Sequence, residues 1–220
     1  SSDPCGSSTA STLRMCSSIT GKVMIDKLLM SKYYGILCAL MCLFTSIQFI
    51  IPLFLEPASL TNVYHQQVCA NDLRGSLIVQ HAGALIYAFG DLTCHQMAGH
   101  SFFLNGNQMP VCSRCIGIYM GMCLIGAVAV YRVPLGGFVE ALLSLLFPKG
   151  IERYGNRWIL LFSACLLLTC PLTIDGLVQY FTTYESWNGL RVATGFLFGI
   201  AEGAVIIAIV SAFYSQCETW

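Results

Sequence analysis

The sequence predicts an all-α protein: a polytopic membrane helical bundle with four clear transmembrane helices and one or two interfacial or re-entrant helices. Three observations predict it. Hydrophobic residues make up 56% of the 220 residues and charged residues only 10%, against about 25% in a soluble domain. Four uncharged or nearly uncharged stretches are long enough to approach or exceed the width of a hydrocarbon core. The 11 basic and 11 acidic side chains cancel, which leaves no electrostatic footprint for nucleic acid. So few charges cannot cover a water-facing surface, which excludes a soluble enzyme. So much apolar surface excludes a disordered chain.

The segments follow in order. Ser1 to Thr20 is rich in Ser and Thr and holds one acid, Asp3; with the lysines up to Lys32, residues 1–32 read as a flexible tail. A Ser-rich, acid-poor start at Ser rather than Met fits a trimmed chain and an organelle inner membrane such as the mitochondrial one; an ordinary cytosolic tail is the alternative. Tyr33 to Leu55 is 23 residues without a charge, a span ended by Glu56 and Pro57. Ser76 to Thr93 is apolar but carries Gln80, His81 and Asp91, which places it along or dipping into the interface. Ile116 to Tyr131 is the second span. Gly136 to Phe147 is too short to cross and reads as interfacial or re-entrant. Trp158 to Ile174 is the third span, and Val192 to Tyr214, interrupted by Glu202, is the fourth. An acid within a span is functional or partnered by default; a neutral, hydrogen-bonded Glu at a packing seam is the alternative.

Four spans put Arg14, Lys22, Lys27, Lys32, Arg132, Lys149, Arg153 and Arg157 on one side, and Arg74, Arg114 and Arg191 on the other. The side with eight is the inner one. Six spans give the same count, so charge excludes five spans and leaves four and six. Gly117 and Gly121, and Gly195, Gly199 and Gly203, recur four apart, a spacing that lets helices approach closely.

Two polar islands carry the chemistry. The first runs through Cys94-His95-Gln96, His100-Ser101-Phe102-Phe103, Asn105-Gly106-Asn107-Gln108-Met109-Pro110 and Cys112-Ser113-Arg114-Cys115. A Cys-x-x-Cys turn brings two thiolates to one side of a tetrahedral ion. Cys94 or His95 is then a third ligand, one rather than both because neighbours point apart, and His100 or His65 a fourth. Zinc is the expected metal. A disulfide or redox pair among these cysteines, and plain packing thiols in a chain of 12 Cys, compete with it. The Asn-Gly-Asn stretch is turn chemistry. The second island holds Asp175, Gln179, Glu185, Ser186 and Arg191. Asp175 is either the N-cap of a following helix or, with Glu185, an acid–base candidate; Glu185 and Arg191 are also placed to pair.

At these islands the chain resembles a family of short, uncharacterised multi-pass membrane proteins, mainly of archaea and bacteria, known only as a domain of unknown function. The carrying residues are Cys94-His95-Gln96, Ser101-Phe102-Phe103, Gln108 to Gly121, Asp175 to Gln179 and Leu190 to Gly195, within a region from His81 to Gly203. Where the family tends to carry Arg before Ser-Phe, this chain has His100, which argues against an anion site there and adds a ligand candidate. The resemblance supplies no activity. It implies a two-span hairpin between the islands, which puts both on one face and favours four spans.

The organisation expected is therefore a tail at 1–32, an added transmembrane helix at 33–55 and a family-like membrane domain at 76–216 with the Cys/His loop at 94–115. The function expected is an integral membrane subunit of a larger membrane assembly, in contact with lipid and other membrane-protein subunits, its loop stapled by a metal or a disulfide. The alternative is a small membrane enzyme that uses Cys94, His95, Cys112 and Cys115 on a lipid or quinone headgroup, with Asp175 or Glu185 beside them. A proton or ion pathway through Glu202 ranks last, because one carboxylate does not make a path.

Overall fold

The computed structural model describes residues 8–63, 68–74, 76–147 and 156–217. It is all-α apart from one two-stranded hairpin. The helices are α1 (Ser8–Phe54), α2 (Leu77–Thr93), α3 (Ser113–Arg132), α4 (Phe138–Leu146), α5 (Arg157–Phe181) and α6 (Asn188–Cys217); the hairpin strands are β1 (Phe103–Leu104) and β2 (Asn107–Gln108).

Four helices are long and apolar enough to cross a membrane: Met24–Phe54, Ser113–Arg132, Arg157–Phe181 and Asn188–Cys217. They match the four stretches expected, the first ending at Phe54 rather than Leu55. The part of the tail from Ser8 onward is helical rather than flexible, because α1 runs back to Ser8. No proline interrupts residues 8–32, and each residue added to an existing helix gains a hydrogen bond without a new nucleus. Pro52, in the last turn of α1, removes a helical donor just before the helix stops.

The centre of the bundle is the crossing of α3 and α6, where backbone meets backbone. A Cβ on Gly117 would strike the Val192 carbonyl oxygen, and one on Gly121 that of Phe196. From the other helix, Gly195 lies on the Arg114 carbonyl and Gly199 on that of Ile118. Helices in hydrocarbon gain little from the hydrophobic effect, so such close packing is the main attraction available to them.

Around this crossing α1 packs on α3 through Thr45, whose hydroxyl lies 3.4 Å from Cys123 Sγ, and through Tyr34, which donates to the Pro134 carbonyl at 3.0 Å. The nine residues of α4 bury Ala141, Leu142, Leu143 and Leu145, and Ala141, Leu142 and Leu145 form one cluster with Ala204, Ile207 and Ala208 of α6. Arg132 Nη1 closes the C-terminal end of α4 by donating to the carbonyls of Ser144, Leu145 and Phe147 at 2.8, 3.2 and 2.7 Å. Those carbonyls have no partner within the helix, and a cation complements that end of its dipole. Glu202 is exposed on α6, off the glycine seam, while Gly199 and Gly203 are buried in it. The seam-glutamate expectation is thereby corrected.

Gly199→Val should lower stability by about 1–3 kcal/mol or more, the cost of overpacking, because the neighbour it meets is rigid backbone. Gly176→Ala is the control: nothing lies within 4 Å of its Cβ position, and removing a helical glycine should add about 0.5–1 kcal/mol. Unfolding of both variants in detergent micelles checks the pair.

Candidate metal centre

The segment between α1 and α3 forms a cap over the bundle, and buried amide side chains hold it. Asn105 and Gly106 both have positive φ, 55° and 74°, the requirement of a two-residue hairpin turn. This turn brings Asn107 and Gln108 inward, both wholly buried. Asn107 Nδ2 donates to the carbonyls of Pro52 and Glu56, each at 3.0 Å, while its Oδ1 accepts from the Leu60 amide at 2.9 Å. Gln108 Nε2 donates to the Gln96 carbonyl at 2.6 Å, and its Oε1 accepts from Val63 N at 3.1 Å. Gln96 Nε2 in turn donates to the carbonyls of Tyr87 and Pro110 at 3.1 and 2.6 Å. The Tyr87 hydroxyl donates to the Gln108 carbonyl at 2.5 Å. Every one of these is a buried polar group paired with backbone.

This frame sets Cys94, the C-terminal cap of α2, against Cys112, the N-terminal cap of α3. Cys115 lies one turn into α3. The three Sγ atoms all lie within 4.8 Å of one another, with Cys112 and Cys115 3.6 Å apart. The backbone amides of Cys112 and Gln96 donate to Cys94 Sγ at 3.2 and 3.5 Å. The Cys112 thiol is held far below its usual range by its hydrogen bond with Cys115 and then by that with Cys94. Cys94 is raised, first by its hydrogen bond with Cys112. At Cys112 the N-terminus of α3 also favours the thiolate.

His95 and His100 stand outside this trio. The backbone at Cys94 is extended, with φ −142° and ψ 144°, so its neighbour His95 points away and is exposed. His100 closes a 3-10 turn, and its carbonyl accepts from Ser113 Oγ at 2.9 Å. Its ring pKa is lowered, by burial first and then by Arg191. His65 lies outside the described residues. Beside Cys94 is a cavity of about 350 Å³ lined by Asp91, Leu92, Thr93, Cys94 and His95.

The second island joins the first. Arg114, between the two cysteines of the Cys-x-x-Cys, forms an ion pair with Asp175 Oδ2 of α5. Gln179 Nε2 donates to the same oxygen at 2.9 Å and to Ser186 Oγ at 2.7 Å. Arg191, 2% exposed, donates from Nε to Ser186 Oγ at 3.0 Å and from Nη2 to Gln179 Oε1 at 3.2 Å. Ser113 Oγ donates to Asn188 Oδ1 at 3.0 Å. Asp175 is not a helix cap: α5 continues to Phe181, so its carboxylate is free to meet Arg114. Glu185 is exposed and makes no ion pair with Arg191, which is turned toward Gln179. Both islands thus lie on one face of the bundle, as the four-span topology requires.

Sequence reasoning placed Arg114, Gln96 and Gln108 in its motifs but gave them no role in the site. Arg114 was the findable one. A cation in the first turn of a span demands a carboxylate, and Asp175 is the one acid in α5, toward its matching end. The amides gave no such signal, since their partners are backbone groups distant in sequence.

A family profile described as "Predicted membrane protein (DUF2085)" matches residues 94–205, which takes in both islands and the α3–α6 crossing. An uncharacterized protein of Methanocaldococcus jannaschii is 34% identical over 131 residues, 60% of this chain and 70% of its own length. An uncharacterized protein of Methanothermobacter thermautotrophicus is 36% identical over 107 residues, 49% of this chain and 78% of its own length. No solved structure matches.

Asp175→Ala removes the carboxylate that faces Arg114 and should cost about 3 kcal/mol, the loss expected when one member of a buried pair is deleted; chemical unfolding measures it. The depressed His100 pKa fixes a pH trend. The unfolded chain binds the His100 proton first, so stability should fall as pH drops from about 6.5 toward the lower folded value. A pH series on wild type against His100→Gln isolates that contribution.

Proposed function

The chain belongs to the DUF2085 family of predicted membrane proteins, and on that premise we propose that it is an integral membrane protein whose cap is stapled to α3 by a metal ion, zinc, held on Cys94, Cys112 and Cys115. The observation that carries the proposal is the convergence of three thiols from two helix ends. The fit is good. Zinc–thiolate bonds of about 2.3 Å in a tetrahedron set sulfurs about 3.8 Å apart, close to the 3.6 Å between Cys112 and Cys115. Backbone N–H groups aimed at Cys94 Sγ are the outer hydrogen bonds that orient and stabilise a ligating thiolate.

Charge supports the same reading. Arg114 and Arg191 face a single buried carboxylate, Asp175, which leaves one positive charge over. A divalent ion on three thiolates carries one negative charge and cancels it. The fields of Arg191, Arg114 and Cys112 all reach His100, so these groups share one neighbourhood. A disulfide between two of the cysteines would leave the charge uncancelled and the third thiol unused.

The larger assembly expected from the sequence stays part of the proposal. Its support is α5, which buries only Asp175 and leaves its length to lipid or to a neighbouring subunit. The organelle membrane is not part of it; the relatives named are archaeal. A second reading, a small membrane enzyme, is favoured by one observation. Three protein ligands leave a fourth tetrahedral position, the hallmark of catalytic zinc sites, and a cavity of about 350 Å³ reaches Cys94. It would admit a lipid or quinone headgroup. Asp175, engaged with Arg114, would position rather than transfer protons, which leaves Glu185 as the other acid–base candidate.

Elemental analysis of the purified chain should find about one zinc per chain, the stoichiometry of a single closed site. Cys94, Cys112 and Cys115 should resist alkylation until the metal is chelated. Cys112→Ser should lose the zinc; His95→Ala and His100→Ala should keep it. Oxidised cysteine pairs without metal would refute the proposal. A Cys112→Ser protein that loses zinc yet keeps native cap protection in hydrogen exchange would refute the staple and favour the enzyme.

A further inference from the structure

Cys94 belongs to two places at once. Its Sγ is one of the three thiols that converge at the ends of α2 and α3. The same residue lines the cavity of about 350 Å³ with Asp91, Leu92, Thr93 and His95. The other sides of the trio are closed or unfavourable to a cation. Cys94 and Cys115 pack against the buried Met109, Val111 and Ile116. Arg114 stands between Cys112 and Cys115 in the chain, and the charge of Arg191 reaches Cys112. A divalent ion approaching from that side meets two guanidiniums and a single carboxylate, Asp175, already engaged with Arg114.

The cavity has the opposite character. Asp91 and His95 are both exposed, so its wall offers a carboxylate and an imidazole, two of the ordinary ligands of divalent transition metals. The wall is also the C-terminal end of α2. The last helical bond of α2 runs from the Cys94 amide to the Gly90 carbonyl at 2.8 Å. The carbonyls of Asp91, Leu92 and Thr93 therefore have no partner within the helix, and this negative end of the dipole attracts cations. The space suffices for a hydrated ion, since six waters fill roughly 180 Å³ at about 30 Å³ each. His95, turned from the trio, reaches this cavity without being a ligand to an ion held on the three thiols.

We propose that this cavity is the loading port of the thiol centre: Asp91 and His95 collect a hydrated divalent cation, and Cys94 draws it inward onto Cys112 and Cys115. The inference rests on the metal reading above and adds the route by which the ion arrives. The ion exchanges its waters for sulfur, and each thiol that takes it releases its proton to water in the cavity. Selection is divided between the two stages. The oxygen and nitrogen donors of the port accept any small divalent cation, and the thiolates keep those that prefer sulfur, zinc above magnesium or calcium.

The test uses the full chain in detergent micelles, stripped of metal by a chelator under reducing conditions. Cadmium(II) is added by rapid mixing, and its arrival is read from thiolate-to-metal charge-transfer absorbance. Bound metal at equilibrium and the rate of removal by excess chelator are measured on the same samples. Asp91→Asn should slow loading about tenfold, the lower end of what electrostatic steering supplies, and His95→Ala by a similar factor. Removal should slow to match, with metal occupancy unchanged. Added salt should slow wild type more than Asp91→Asn. Glu56→Gln, which removes an exposed carboxylate paired with Arg74 elsewhere on the cap, should load as wild type does. Wild-type loading rates in both Asp91→Asn and His95→Ala, at full occupancy, would overturn the port and leave the metal reading standing. A His95→Ala chain that loads at the wild-type rate but binds weakly would make His95 a ligand and overturn the port as well. A wild-type chain that binds neither cadmium nor zinc would refute the metal reading and the port with it.

Discussion

The glycine-lined crossing of α3 and α6 is the constraint on which the rest of the molecule depends. Its upper contact is Gly195 against the Arg114 carbonyl, so the packing that joins the two helices also fixes the height of Arg114. That height places the guanidinium opposite Asp175 and leaves Arg191, one turn above Gly195, beside Ser186 and Gln179. Cys112 and Cys115 flank Arg114 on the same helix end. A shift of α3 along α6 by a single residue, about 1.5 Å, would break the ion pair and move both thiols from Cys94. The membrane packing and the chemistry of the cap are therefore one geometric problem.

The cap solves a different problem. Its apolar clusters, around Leu60, Val63, Leu73 and Tyr87 and around Met109 and Val111, are not directional, yet it must fix Cys94 against α3. Asn107, Gln108 and Gln96 do so by satisfying carbonyls and amides from four separate segments. Each such bond adds only about 0.5–1.5 kcal/mol, but a partner lost in this buried setting would leave an unsatisfied group. The frame is rigid because breaking it anywhere is costly. Metal ligands need that kind of support, since their orientation is set by the hydrogen bonds behind them.

The four spans and the turn at Asn105-Gly106 were legible because hydropathy and positive-φ preference are local properties. The closeness of Cys112 and Cys115 was legible for the same reason, as was the expectation that only one of the neighbours Cys94 and His95 would face them. Residues 8–32 misled because Ser and Thr composition signals weak helix preference, which a long apolar helix overrides by propagation. Asp175 misled because an acid following an apolar run looks like a cap. Only the continuation of α5 to Phe181 and the position of α3 show that it sits within a helix to meet a cation. The amides of the cap carry no pattern at all, since their roles are set by backbone groups that the fold, not the sequence, brings near.

The location of the polar network follows from electrostatics rather than from convenience. Two guanidiniums and a carboxylate buried at the bilayer centre would suffer a desolvation penalty that their mutual attraction hardly repays. At the cap end of α3, α5 and α6 the same groups keep a path to water through the partly exposed Arg114 side chain, 26% accessible. They still lie close enough to hydrocarbon for their interactions to be strong. The N-terminal ends of α3 and α6 both point into this region, and their dipoles add positive potential. Arginines alone would make that potential unfavourable; one carboxylate offsets part of it, and the thiolate–metal centre proposed above would balance the rest. Three thiols with the proposed metal, next to Arg114, the buried Arg191 and Asp175, would on this account form a single neutral unit whose parts stabilise one another in a membrane.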